Sequence, residues 1–262
     1  MTKFFSNRTP SGARSGITKL AFGVATALSM MAATPAMATV LNFEQPIPWE
    51  FSGAGGDTLT TDEFTLLVVD NHGSTGAAGV VVNGYDPETC SGGGCPTNNE
   101  TNYYLGINDG GIVLTRNSPE GTTWGFRLNS FDYSFMAAVG GLANGSYGSL
   151  NLVATLLDGS TIATSLKFPG YVDGGPSFAA AQLGSAFLNA TMASLSIRAC
   201  VNTANGCVYP EPGQTIINQA QFGIDNISLS EVPEPGTLAL LGLGAGALAL
   251  RRRKSIASSN HA

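Results

Sequence analysis

The sequence predicts an all-β fold, an antiparallel two-sheet β-sandwich, on three observations. Between residues 39 and 231, short runs rich in β-branched and aromatic residues alternate with clusters of Gly, Asn, Asp and Pro, the rhythm of strands joined by turns. Period-two alternation is explicit in "FDYSFMA", where Phe131, Tyr133, Phe135 and Ala137 alternate with Asp132, Ser134 and Met136, placing one face inward and one outward. One segment alone reads as helical, Phe178 to Asn189, where alanine outweighs β-branched residues, and no repeat recurs at a fixed period.

Taken from the N-terminus, Lys3, Arg8, Arg14 and Lys19 precede an uncharged run from Leu20 to Ala33 and the small-residue ending Ala36-Met37-Ala38. That layout predicts a secretory signal peptide over residues 1–38, removed by signal peptidase after Ala38. No Arg-Arg pair lies in the region, which favours general secretion over twin-arginine export. Residues 39–231 then form one extracytoplasmic domain, 193 residues long, enough to bury a sizeable core.

Within that domain "VLNFE" reads as a first strand and "QPIPWEFSG", carrying Trp49, as a Pro-rich loop. A hairpin is expected in "YYLGINDGGIVLT", turning at Asn108 to Gly111, and a clearer one in "SLNLVATLLDGSTIATSLKF". In the latter Leu150, Leu152, Ala154 and Leu156 share a face, Asp158-Gly159 suits a type I′ turn, and Thr161 to Phe168 return. The four cysteines form two local pairs, Cys90 with Cys95 and Cys200 with Cys207, expected as two disulfides that clip loops in an oxidising compartment. A zinc site would want shorter spacing and histidines, and the domain holds only His72.

Charge narrows the function. The whole chain carries −6, yet the domain holds only Arg116, Arg127, Lys167 and Arg198 against 17 of the 18 carboxylates, a net −13. Nucleic acid and other polyanions are excluded as partners, because phosphate contacts need clustered Lys and Arg. Gly-x-Ser-x-Gly, His-Glu-x-x-His, a P-loop and Gly-x-Gly-x-x-Gly are all absent. His72, beside Asp70, Asn71 and Gly73, reads as a turn residue. No catalytic residue is assigned, and the chain is expected not to be an enzyme; a secreted glycan-active hydrolase with paired carboxylates is the alternative. Sugar binding would use exposed aromatic platforms beside amides and carboxylates. Trp49 is the candidate platform, while Trp124 and Tyr133 are expected in the core.

The C-terminus reads "VPEPGTLALLGLGAGALALRRRKSIASSNHA" from Val232 to Ala262. Its apolar stretch, Leu238 to Leu250, spans only about 20 Å as a helix, against about 30 Å of membrane hydrocarbon. Arg251, Arg252, Arg253 and Lys254 follow as a stop-transfer cluster that keeps the tail cytoplasmic. Val232-Pro233-Glu234-Pro235, the Gly/Leu/Ala-rich segment and the basic stop together resemble the PEP-CTERM sorting signal of Gram-negative bacteria that make exopolysaccharide, also catalogued as the C-terminal motif of an ice-binding protein. The resemblance implies that an exosortase recognises the motif in residues 232–262 and removes the tail. The protein would thereby pass through transient anchoring, by a short transmembrane segment, to the cell surface or extracellular matrix, in a biofilm or exopolysaccharide setting. Ice binding would require a flat, regular array of Thr-rich strands, and none is visible in the sequence. "VLNFE" and "FGIDNISLSEVPEP" resemble the first and last strands of jelly-roll ectodomains, and more distantly of β-sandwich carbohydrate-binding modules. That likeness implies a jelly-roll-like sandwich and a structural or glycan-binding role.

A structural Ca²⁺ is the one cofactor considered, with Glu44 and Asp225 as its ligands. In a regular strand Asp225 shares a face with Ile227 and Leu229, so a carboxylate joins an apolar face and needs a partner. With four cations for 17 acids, a hard divalent ion is a plausible one, and in the binding modules that the chain resembles, acids near both termini share such an ion.

Overall fold

The computed structural model describes residues 38–44, 51–71, 76–84, 94–136, 147–172, 175–214 and 218–232, with the glycines at 242, 244 and 246. In chain order the strands are β1 Ala38–Leu41, β2 Ser52–Gly53, β3 Thr58–Thr60, β4 Phe64–Val69, β5 Gly79–Asn83, β6 Asn102–Gly106, β7 Gly111–Arg116 and β8 Phe126–Met136. There follow β9 Gly148–Leu156, β10 Thr161–Lys167, β11 Tyr171–Val172, β12 Gly175–Pro176 and β13 Ala179–Ala180. The single-turn helix α1 Ser185–Leu188 precedes β14 Met192–Thr203, β15 Gly206–Val208 and β16 Gln221–Glu231.

The domain is all-β with antiparallel pairing, as its alternation requires. Fourteen strands are hydrogen-bonded into one continuous sheet, and β11 and β12 pair separately. One half of the sheet runs β2-β5-β6-β16-β8, with β1 also on β16 and β13 on β8. The other runs β10-β9-β14-β7-β4-β3, with β15 on β14. The halves meet through one pairing between β14 and β8, Met192 with Phe126. Two separate sheets were expected; the sheet instead continues through this corner and curls towards a barrel. Leu66, Leu114, Ile197 and Leu152 from one half and Phe222, Ile224 and Leu229 from the other lie fully buried in a shared core. Phe64 meets Phe126 edge-on at 5.7 Å across the junction, and each such buried ring contributes roughly 1.5–3 kcal/mol.

The β9–β10 hairpin forms where expected, with Leu150, Leu152 and Ala154 fully buried. Its turn differs. Gly159 N donates to Leu156 O at 3.0 Å and Leu156 N to Ser160 O at 2.8 Å, so Leu157, Asp158 and Gly159 make a three-residue loop. Gly159 alone adopts positive φ, +83°, the signature of a type I turn followed by a glycine bulge. A type I′ geometry occurs instead at Asn108 and Asp109, with φ of 53° and 60°, closed by Gly110 N to Ile107 O at 2.8 Å. That turn is no hairpin, because β6 pairs with β5 and β16 whereas β7 pairs with β14 and β4. It carries the chain from one half of the sheet to the other. Asp109, buried, anchors the crossover by accepting from Asn218 N and Ala220 N at 2.6 and 2.7 Å. The helix expected over Phe178 to Asn189 shrinks to α1, because Ala179 and Ala180 extend as β13 along β8, opposite Tyr133 and Asp132. An available sheet edge overrides alanine's helix propensity there.

Candidate functional site

The outer face of the β16–β8–β6 half is built around a register shift. β16 runs regularly against β8 to Asp225 opposite Asp132, then shifts before Ser228, and between them Asn226 takes φ +50°. The bulge changes which side chains face inward. Ile224 and Ile227 both enter the core, while Asp225 turns away from Ile227 and lies, fully buried, beneath the segment from Asn98 to Asn102 on the outer side. The expectation that Asp225 shares the apolar face of Ile227 and Leu229 fails because a bulge resets alternation.

Asp225 is held by donors. Asn99 Nδ2 gives a hydrogen bond to Oδ2 at 2.8 Å, Thr101 Oγ1 one to the same oxygen at 3.0 Å, and Asn226 N one to Oδ1 at 2.7 Å. Burial pushes its carboxyl up to about 6 and the neighbouring Asp132 adds to this, while the three donors pull in the opposite direction. Glu44, three residues beyond β1, accepts from Asn102 N at 2.8 Å and Asn102 Nδ2 at 3.1 Å. The two carboxylates named in the sequence therefore hold the same short segment, Asp225 at Asn99 and Thr101 and Glu44 at Asn102. Among the described residues no group of three His, Cys, Asp or Glu gathers as a metal site would, and the oxygens of Asp225 face N–H and O–H groups.

Above Asp225 opens a cleft of about 520 Å³, whose walls come from Thr97 to Thr101, Asp132, Asn226 and the stretch Phe178 to Ala180. Asn98 fastens it, donating from Nδ2 to Phe178 O at 3.0 Å and accepting from Phe178 N at 2.7 Å. Thr97 N donates to Pro176 O at 2.9 Å. Asn226 Nδ2 donates to Asp132 Oδ2 at 3.0 Å. Phe178 stacks edge-on against buried Tyr103 at 5.1 Å, fixing the one aromatic wall. Carboxylate, amide and hydroxyl groups thus converge beside a ring, and among the described residues no cation lines the cleft. Such a surface accepts hydrogen bonds and repels anions.

Of the residues singled out from sequence, Trp49, His72 and Cys90 lie outside the described residues. Cys95 is disulfide-bonded, and Cys200 is bridged to Cys207, tying β14 to β15. Trp124 is half-buried under the Arg116 guanidinium, 4.8 Å from its ring centre, outside the core in which it was expected; Arg116 in turn pairs with Glu231. Tyr133 is buried, its hydroxyl donating to Lys167 O at 2.7 Å. Pro233 to Pro235 and the basic stop Arg251 to Lys254 lie outside the described residues, and among these no helix is long and apolar enough to cross a membrane. The cleft residues Asn98, Asn99, Glu100, Asp132 and Asn226 were missed by the sequence reading. The polar run "PTNNETN" from Pro96 to Asn102 was the one available signal.

The opposite half of the sheet bears a feature that no stretch of the chain signals. Thr60 lies opposite Thr65, Thr65 opposite Thr115, Thr115 opposite Ser194, Ser194 opposite Thr155 and Thr155 opposite Thr161. Six hydroxyl side chains cross six strands in one row on the outer face.

Compared with protein families, residues 231–254 match the PEP-CTERM protein-sorting motif. The chain thus carries the signal by which an exosortase recognises exported proteins and sorts them to the cell surface. No curated protein matches the chain. Among solved structures, the crystal structure of the enzymatically active domain of Bacteriophage CBA120 tailspike protein 4 aligns with a TM-score of 0.28 and 10% identity, over 65% of this chain and 20% of that one. The chain therefore spans a fifth of that protein's length, and a likeness at this level carries no argument about fold or function.

Proposed function

We propose that this exosortase-sorted protein is a non-enzymatic component of the bacterial surface or extracellular matrix that holds a neutral polysaccharide in the Asn98–Asn226 cleft. The observation that carries the reading is the lining itself: acceptor-rich carboxylates and amides beside Phe178, with no cation. Sugar hydroxyls supply the donors that such a lining requires, and an aromatic wall packs against the apolar face of a pyranose. Uronic, sulfated or phosphorylated polymers would meet uncompensated negative charge. On this reading the two halves of the sheet are the layers of a jelly-roll-like sandwich. The described fold closes at Val232, whose N–H donates to Gly125 O at 3.2 Å, so removal of the tail beyond it would break none of the strand pairings.

The hydrolase alternative has one observation behind it, the raised carboxyl of Asp225 beside Asp132, the kind of pair a glycosidase uses. Asp225 is poorly suited to the task. It is fully buried, and both its oxygens already accept hydrogen bonds from the protein, so no glycosidic oxygen reaches it. Affinity electrophoresis of the exported protein through neutral and anionic polysaccharides, with reducing ends assayed in the same samples, separates the readings. Retardation by a neutral polymer without release of reducing ends is expected. Release that disappears in Asp132→Asn would establish the hydrolase instead.

A further inference from the structure

The hydroxyl row on the β3–β4–β7–β14–β9–β10 half has a neighbour. One step along the strands, Thr58, Leu67, Val113, Ser196, Val153 and Ala163 form a second row in the same register. Leu67 and Val153 are 37% and 39% exposed. Two of the five large apolar side chains exposed among the described residues thus stand in one row. Neither row contains a carboxylate, although the domain carries seventeen. Arg198 and Tyr209 close one end, the guanidinium lying 4.5 Å over the ring.

We infer that this face binds a second copy of the same chain, making the exported protein a two-fold dimer through sheet-on-sheet packing. Three arguments select that occupant. The first is charge. Copies bearing about −13 each repel through most of their surface, and this carboxylate-free face is where they can approach. The second is pattern. A hydroxyl both donates and accepts, so a hydroxyl row complements its own kind, as the 3.3 Å approach of Thr60 Oγ1 and Thr65 Oγ1 shows in miniature. The apolar row is self-complementary in the same sense, which a two-fold interface requires. The third is shape and size. Five strands at about 4.8 Å and five residues at about 3.4 Å, with the three residues of β3, give about 450 Å² per copy, or about 900 Å² for the pair, the size of a small, concentration-dependent interface. Strands twist by roughly 20–25° from one to the next. A row of six therefore fits another twisted sheet, packed at about 30°, better than a flat ice or polysaccharide lattice.

Sedimentation equilibrium of the full chain, expressed with its own signals and recovered from the cell surface or medium, tests the inference. Twice the monomer mass is expected for wild type and for Val40→Glu, a control on exposed β1 in the other half. The monomer mass is expected for Val153→Glu and Leu67→Glu, with thermal unfolding showing that they remain folded. Should those charges prevent folding, mild oxidation of Val113→Cys decides, a covalent dimer in high yield being expected from this position in the middle of the second row. A wild type that stays monomeric at its highest soluble concentration overturns the inference. So would a dimer that survives the face variants, a Val113→Cys protein that fails to cross-link, or a monomer that adsorbs to ice or insoluble polysaccharide through this face.

Discussion

The two halves of the sheet share one core and have opposite exteriors. Over β6, β16 and β8 the outer face is roofed: the chain from residue 94 to 101 and Phe178 cover Tyr103, Leu105 and Asp225, and the cleft opens in that roof. Over the middle of β7, β14 and β9 the outer face is partly exposed among the described residues, and there the side chains alternate between the core and a surface of Thr, Ser and Val. Regular alternation makes a face suited to broad, shallow contact. A bulge and a roof make a concave site that can hold a small polar ligand.

The contrast is sharpest in stability. Tyr103→Ala, which removes a side chain 1% exposed and its contact with Phe178, is expected to cost about 3–5 kcal/mol in denaturant unfolding. Val153→Thr on the outer face of the other half should change the stability of the dilute monomer by no more than about 0.5 kcal/mol. Comparable losses at both positions in the monomer would show that the chain itself covers the outer face at Val153.

The pH dependence of unfolding ranks next. Asp225 titrates at about 6 in the folded protein and near 3.9 when unfolded. Between those values the folded state binds more protons, so this group's effect on stability falls as pH rises through the window and is most favourable below it. Its share is up to about 3 kcal/mol between pH 4 and 7. Subtracting the Asp225→Asn profile from that of wild type should isolate this slope; parallel profiles would mean that the roof does not bury the carboxylate.

A smaller effect is expected on binding. Asp132→Ala should weaken a neutral oligosaccharide by roughly tenfold or more in isothermal titration while Thr115→Ala leaves it unchanged. Smallest of all, chelation should leave the melting temperature unaltered, because Asp225 and Glu44 already have protein donors. A drop of several degrees that Asp225→Ala abolishes would establish the calcium site.

How much of this was legible depended on whether the signal was local. The β9–β10 strands, the pairing of Cys200 with Cys207 and the sorting motif are carried by contiguous residues, and all were read correctly. The crossover at Asn108 and Asp109 was read as a hairpin because turn chemistry reports the bend and not the partner of either strand. Asp225 was assigned to the wrong face because Asn226, an ordinary residue in the sequence, absorbs a bulge that only pairing with β8 reveals. The hydroxyl row is assembled from residues 60, 65, 115, 155, 161 and 194, and no window of sequence contains it. The cleft joins Asn98 to Phe178 across eighty residues, so its polar run was visible while its role was not.

Glycan binding on the roofed face, and not on the hydroxyl rows, is the property to test first. Amide chemical-shift mapping of the exported protein, titrated with neutral oligosaccharides, tests this residue by residue. Perturbations that saturate at Asn98, Asn99, Glu100, Phe178 and Asn226, with Val113, Thr115 and Ser196 unmoved, are the predicted result. Perturbations confined to Val113, Thr115 and Ser196, or a response only to anionic sugars, would contradict it.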